Sequence, residues 1–203
     1  MNPQWLGLIS LWFGLGYLCG SVPFGLLIAR VFGLGNLREI GSGNIGATNV
    51  LRTGSKPAAA ATLLMDALKG TLPVAAASQL ANTDMAIAAG FGAFIGHILP
   101  IWLRFRGGKG VATYVGVLLG LGWPLLVVFA VIWLTLAAAS RYSSLAALVA
   151  SIAVPAYAFY AGNMKLALAL LVMTMIVYLT HRQNIARLLK GEETRIGSKP
   201  SPS

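Results

Sequence analysis

Acidic groups are scarce in this chain. Among 203 residues there are five, Glu39, Asp66, Asp84, Glu192 and Glu193, and charged residues of either sign make up only 10%. Five scattered acids are too few for chemistry built on a carboxylate cluster, such as metal-assisted transfer of lipid head groups. Cysteine is limited to Cys19, inside the first apolar stretch. That excludes a disulfide framework and a thiol metal site, and Cys19 reads as packing. The opening residues Met1-Asn2-Pro3-Gln4 carry no basic flank, and the apolar run behind them is too long for the core of a secretory signal. It is expected to be a retained membrane span. No internal repeat of useful length is visible.

What the chain has in abundance is apolar side chains. They make up 57% of the residues, and the mean hydropathy is +0.77, so lipid is the solvent for most of the sequence. The net charge of +10 is read first as the excess of Lys and Arg on the cytoplasmic side of a membrane protein, rather than as a nucleic-acid surface. Apolar stretches of spanning length run over 5–29, 57–81, 85–103 and 143–161, with a shorter one at 165–180. The stretch 111–139 is long for one span, and Gly120, Gly122 and Pro124 interrupt its middle. If it forms two short helices turning near Gly122-Trp123-Pro124, the chain has seven spans. The N-terminus is then outside, the C-terminus is cytoplasmic, and thirteen of the fifteen Lys and Arg lie inside. A single crossing would expel Arg182, Arg187, Lys190, Arg195 and Lys199, against the positive-inside rule. The expectation is an all-α integral membrane protein, one polytopic domain over 1–203 with a disordered polar tail from about 194 to 203.

Three unusual segments then share the cytoplasmic side. The first, 41–56, reads G-S-G-N-I-G-A-T-N-V-L-R-T-G-S-K. Its glycines let backbone N–H groups approach an oxyanion, Ser42, Thr48 and Asn49 add side-chain donors, and Arg52 and Lys56 can neutralise a phosphate. Gly43 and Asn44 belong to the same phosphate-binding set. Residues 41–46 also fit the dinucleotide pattern G-x-G-x-x-G, but a membrane span precedes them and no βαβ unit follows. The second segment, 104–113, reads R-F-R-G-G-K-G-V-A-T and follows Gly96-His97-Ile98-Leu99-Pro100. It lacks the first glycine of a Walker loop, so nucleotide hydrolysis is not indicated. Lys109 among Gly107, Gly108 and Gly110, ahead of a helix start that includes Thr113, is a candidate anion cradle. The plainer alternative is a basic turn obeying the charge rule.

The third segment, 181–193, reads H-R-Q-N-I-A-R-L-L-K-G-E-E. Helical spacing puts His181, Asn184 and Arg187 on one face of an interfacial amphipathic helix, with Arg187 counted among the phosphate-binding residues. A basic flank after a span would explain the arginines but not the histidine or the asparagine. Within the spans, Asp66 and Lys69 can pair at i, i+3, and they serve either function or support of the first loop. His97 is expected to be a satisfied histidine near the membrane interface.

Together these motifs resemble the bacterial acyl-phosphate:glycerol-3-phosphate acyltransferases, the PlsY family. The first segment, the G-H-I-L-P and R-F-R-G-G-K-G-V-A-T stretch, and the third segment agree with it in order, spacing and residue type. The resemblance implies a seven-helix enzyme of the bacterial cytoplasmic (inner) membrane, without cofactor or metal. It would make lysophosphatidic acid and phosphate from acyl phosphate and glycerol 3-phosphate, and it would be supplied by a soluble acyl-phosphate synthase. Ser42 and Arg52 correspond to residues that the family needs for activity, Lys109 with Gly107 and Gly108 to its phosphate element, and His181 and Asn184 to its polar site residues. Glu193 corresponds to an acid with a structural role.

The leaving group of an acyl phosphate is already good, so positioning and charge stabilisation are the main tasks. Ser42 therefore reads as a ligand rather than an acylated nucleophile. The proton acceptor is His181 or a substrate phosphate. A thioester-using acyltransferase of the H-x-x-x-x-D kind is excluded, because the fifth residue after His97 is Trp102 and after His181 is Ala186. The alternative from another class, a small anion channel or exporter, should carry polar residues at mid-membrane in several spans, and this chain does not.

Overall fold

The computed structural model describes residues 3–197, and the expected disorder of 198–203 lies outside the described residues. The chain divides into two compact units, Met1–Leu121 and Gly122–Ser203. Every regular element among the described residues is helical. In lipid this is the arrangement that satisfies each backbone group within its own segment.

In the first unit the helices are α1 (Pro3–Gly20), α2 (Phe24–Val31), α3 (Ala47–Leu51), α4 (Lys56–Leu80), α5 (Thr83–Ile98) and α6 (Val111–Leu121). Small residues let α1 and α5 touch backbone to backbone. A Cβ on Gly16 or Gly20 would strike the Ala89 or Ala93 carbonyl, and one on Gly92 or Gly96 the Phe13 or Tyr17 carbonyl. Such four-residue spacings suit helix association in lipid, where dispersion between close surfaces replaces the hydrophobic drive. Gly70 and Gly116 do the same for α4 and α6, and Thr71 Oγ1 donates to the Gly116 carbonyl at 2.9 Å.

The first span, expected over 5–29, is present as Pro3–Val31, with its helix interrupted at Ser21-Val22-Pro23. Proline supplies no N–H and disfavours helix at the residue before it. Beyond the break the chain resumes as α2, where Gly25 packs against the Ile45 carbonyl too closely for any Cβ. The first loop is thereby seated on α2.

The second unit contains α7 (Trp123–Ser140), α8 (Ser143–Tyr160), α9 (Met164–Thr180) and α10 (Arg182–Lys190). Pro155, inside α8, cannot donate to the Ser151 carbonyl one turn back, and Thr174 Oγ1 of α9 does so at 2.7 Å. The freed acceptor becomes an interhelical bond. At His181 the axis turns by 61° from α9 into α10. Residues at the start of the expected disordered tail are tied down: Ile196 N donates to the Arg141 carbonyl at 2.7 Å and Arg141 Nη2 to the Ile196 carbonyl at 2.8 Å.

By length and apolarity alone, Pro3–Val31, Thr83–Leu103, Trp123–Ser140 and Ser143–Tyr160 qualify as spans, and the bent pair α9 and α10 makes a fifth. The interruption expected in 111–139 falls at Gly122, between α6 and α7. The helix α4 is 25 residues long but carries Asp66 and Lys69, and α6 has only 11 residues.

Candidate active site

The first loop is organised around one buried amide. Asn49 is 2% exposed. Its Nδ2 donates to the Leu37 carbonyl at 2.9 Å, and its Oδ1 receives the Ser42 N–H at 3.1 Å, the Ser42 hydroxyl at 3.3 Å and Arg52 Nη1 at 3.5 Å. A serine and an arginine are thus gathered at one acceptor. Gly41, at φ 53°, makes the turn, and a Cβ there would meet Arg52 Cδ and Asn49 Oδ1. Only glycine takes this left-handed conformation while allowing the approach. Asn44 Oδ1 accepts the Gly46 N–H at 2.9 Å, a local turn that also makes Asn44 a scaffold. Thr48 is exposed, and Lys56 is exposed at the first residue of α4. A cation at a helix N-terminus opposes the helix dipole, and a bound anion relieves the conflict.

In the second loop Gly107 N donates to the Ile98 carbonyl and Gly108 N to the His97 carbonyl, both at 3.0 Å. A Cβ on Gly108 would land on His97 Nε2, so the imidazole lies against this backbone. Gly110, at φ 88°, leads into α6, and Lys109 is half-buried just ahead of that helix. The two loops of this unit are joined through adjacent residues. Leu37 accepts from Asn49, and the Arg38 guanidinium donates to the Arg106 carbonyl. Arg38 carried no motif signal; what distinguishes it is its position beside the first loop.

Behind the second loop lie Asp66, Lys69 and His97, all buried. Lys69 Nζ is 2.7 Å from Asp66 Oδ1, the pairing expected from their i, i+3 spacing. His97, in the last turn of α5, was expected to be satisfied, but it is buried, 4% exposed, and its Nδ1 is 3.7 Å from Asp66 Oδ1, too far for a hydrogen bond. Neither Asp66 Oδ1 nor His97 Nδ1 has a hydrogen-bond partner among the described residues, so the contact of Lys69 with Asp66 is one of charge rather than a well-aligned bond. The hydroxyl of Thr113, expected to meet substrate, is fully buried on α6 and likewise without such a partner.

The third segment, in the second unit, closes on Glu193. Asn184 Nδ2 donates to Oε1 at 2.6 Å, Ser144 Oγ to Oε1 at 2.9 Å and Arg187 Nε to Oε2 at 2.7 Å. Gly191, at φ 73°, ends α10 in the left-handed conformation, and Glu192 N bonds back to the Arg187 carbonyl at 2.8 Å. This cap folds the chain so that Glu193 meets the face bearing Asn184 and Arg187. Burial alone would raise the Glu193 pKa, but the bonds from Asn184, Arg187 and Ser144 and the Arg187 charge hold it below the ordinary carboxylate range. Sequence reasoning did not single out Ser144.

His181 sits at the corner between α9 and α10 and is 3% exposed. Its Nδ1 lies 2.8 Å from the Val177 carbonyl. A carbonyl only accepts, so the hydrogen is on Nδ1, and in the neutral ring Nε2 carries the acceptor lone pair. Arg187 was expected among the phosphate ligands, but one of its donors is committed to Glu193.

Over residues 10–191 the chain matches the family described as glycerol-3-phosphate acyltransferase. Two relatives carrying that name come from Brucella suis, 59% identical over 184 residues that are 91% of this chain and 91% of the relative, and from Rhizobium meliloti, 61% identical over 184 residues, 91% of this chain and 90% of the relative. The fold is similar to two crystal structures of PlsY, an integral membrane glycerol 3-phosphate acyltransferase. The glycerol 3-phosphate form has a TM-score of 0.87 at 35% identity, covering 95% of both chains. The lysophosphatidic acid form has a TM-score of 0.85 at 33% identity, covering 93% of this chain and 95% of that one.

Proposed function

This chain belongs to the glycerol-3-phosphate acyltransferase family, and we propose that its acyl donor is an acyl phosphate. The hydroxyl oxygen of glycerol 3-phosphate attacks the acyl carbonyl, the bond from that carbon to the phosphate oxygen breaks, and inorganic phosphate leaves. The product is lysophosphatidic acid. Crystal forms of a PlsY relative with glycerol 3-phosphate and with lysophosphatidic acid are those of the acceptor and the product of this transfer, which supports the reading.

The observation that carries the donor assignment is the gathering of Ser42 and Arg52 at Asn49 Oδ1, in a loop tied through Leu37-Arg38 to the Gly107-Gly108-Lys109 turn. Two donor-rich, cationic loops suit two phosphate-bearing substrates. In this reading Arg52 and Lys109 neutralise phosphate, aided by Lys56, Thr48 and the N–H groups of the glycine turns, and Ser42 donates to a substrate oxygen. Asn49 and Asn44 hold the first loop. His181 Nε2 or a substrate phosphate takes the hydroxyl proton. Asn184 and Arg187 shape the third segment through Glu193.

The lysine and arginine distribution supports a seven-span topology with the active side facing the cytoplasm of a bacterial inner membrane. A soluble acyl-phosphate synthase would supply the donor. A thioester donor would leave as a thiolate, and the binding and leaving-group stabilisation built for phosphate would be lost together. The test gives purified protein labelled glycerol 3-phosphate with palmitoyl phosphate, palmitoyl-CoA or palmitoyl carrier protein at equal concentration. Lysophosphatidic acid is expected from the phosphate alone, and comparable product from either thioester would refute the donor assignment.

A further inference from the structure

We propose that Asp66, Lys69 and His97 form a buried strut that holds the two loops of the Met1–Leu121 unit at the spacing acyl transfer requires. They act as positioning residues and do not touch substrate. The proposal rests on the role given above to those loops.

One arm of the strut runs to the first loop. Lys69 Nζ donates to the Val22 carbonyl at 2.8 Å and lies 5.8 Å from the centroid of the Phe24 ring. Val22 sits in the break before Pro23, and its carbonyl also accepts the Phe24 N–H at 3.1 Å. That break leads directly into α2, whose Gly25 is in backbone contact with Ile45 of the first loop. A displacement at Lys69 therefore reaches Ile45 through the short segment from Val22 to Gly25.

The other arm runs to the second loop. His97 accepts the Gly108 N–H on its carbonyl at 3.0 Å, while its ring occupies the space a Cβ on Gly108 would need. The residue before Lys109 is thus held from two sides by one histidine. Asp66 Oδ1 joins the arms, 2.7 Å from Lys69 Nζ and 3.7 Å from His97 Nδ1.

Stability does not account for this cluster. Replacing a buried ion pair by packed apolar side chains is commonly neutral or stabilising. Here His97 Nδ1 is also buried without a hydrogen-bond partner among the described residues, which costs stability. What charged groups supply in an apolar interior is a strong preference for one arrangement, and this arrangement fixes two substrate loops. The Asp66–Lys69 pair is neutral as a whole, so it needs no ligand of its own.

The test replaces the pair in the full-length protein with apolar groups, Asp66→Leu with Lys69→Met. The thermal midpoint in detergent is expected to equal or exceed that of the wild type, while kcat/KM for glycerol 3-phosphate falls by about tenfold or more, the scale of a misplaced binding group. Full activity would overturn the proposal. Should that variant fail to fold, the histidine arm decides. His97→Gln is expected to keep most activity and His97→Ala to lose it, and equal activity of the two would count against the strut. Gly108→Ala combined with His97→Ala should be no worse than the poorer single variant, because the Cβ then has room; losses that multiply would contradict the contact. Calorimetric binding of glycerol 3-phosphate to each variant separates this proposal from the donor assignment. If the wild type binds the acceptor but does not use palmitoyl phosphate, the donor reading fails, while the loss of affinity in the variants still reports on the strut.

Discussion

Asn184 gives its side-chain amide to Glu193 Oε1 at 2.6 Å, so a candidate site residue is held by an acid that is itself enclosed. Ser144 and Arg187 complete the set of donors around that carboxylate. Glu193→Ala leaves these buried donors without their acceptor and is expected to cost on the order of 2–4 kcal/mol. The thermal midpoint in detergent should fall, with activity falling alongside it. The same carboxylate predicts a pH dependence. Its folded pKa lies below the ordinary value of 4.5, so its contribution is fully present above that value and is lost as pH drops through the folded pKa. Acid denaturation curves of wild type and Glu193→Gln should diverge above that window and converge below it. Parallel curves throughout would remove Glu193 from the account.

Asn49 is a scaffold in the first loop rather than a surface donor. Asn49→Ala removes the acceptor shared by Ser42 and Arg52 and strands the Leu37 carbonyl. A loss of about 1–3 kcal/mol in stability is expected for the buried amide, with a larger fall in kcat/KM than the stability change explains at saturating fold. Normal kinetics in this variant would show that Ser42 and Arg52 do not need it.

For the phosphate contacts, Arg52→Ala and Lys109→Ala are each expected to lower transfer by roughly thirty- to a thousand-fold. A charge-assisted contact in a partly desolvated site is worth on the order of 2–4 kcal/mol. Membrane insertion should be unaffected. Lys165→Ala, near the start of α9, is the neutral control. Either loop variant keeping near-normal rates would remove that residue from the site.

In the proposed seven-span topology, residues 41–56, 104–110 and 181–193 are expected to face the cytoplasm. With Cys19 replaced, single cysteines at positions 55 and 190 should resist an impermeant thiol reagent in intact cells and react after permeabilisation. Labelling in intact cells would sink the topology.

Much of this protein could be read without coordinates because the bilayer is a demanding solvent. Helix positions such as Lys56–Leu80, Ser143–Tyr160 and Met164–Thr180 follow closely from where apolar residues run long enough to cross hydrocarbon, and the interruption at Gly122 follows from where they cannot. The three polar segments stood out for the same reason, since polar groups between spans are few enough to count. Local chemistry was legible as well: the pairing of Asp66 with Lys69 needs only helical spacing.

The partners of those groups were not legible, because they come from distant parts of the chain. Lys69 reaches Val22 across 47 positions and Ser144 reaches Glu193 across 49, and no periodicity records such contacts. The break before Pro23 was hidden by the unbroken hydrophobicity around it. Hydropathy measures what lipid will accept, not where a helix bends. Whether Asn49 faces substrate or the interior depends on how the loop packs against Leu37, and residue type alone leaves both open. Solvent preference distributed the segments, and close approach to backbone without a side chain, at Gly25 by the Ile45 carbonyl, at Gly108 by the His97 ring and at the left-handed turn of Gly41 by Arg52 and Asn49, set which groups meet.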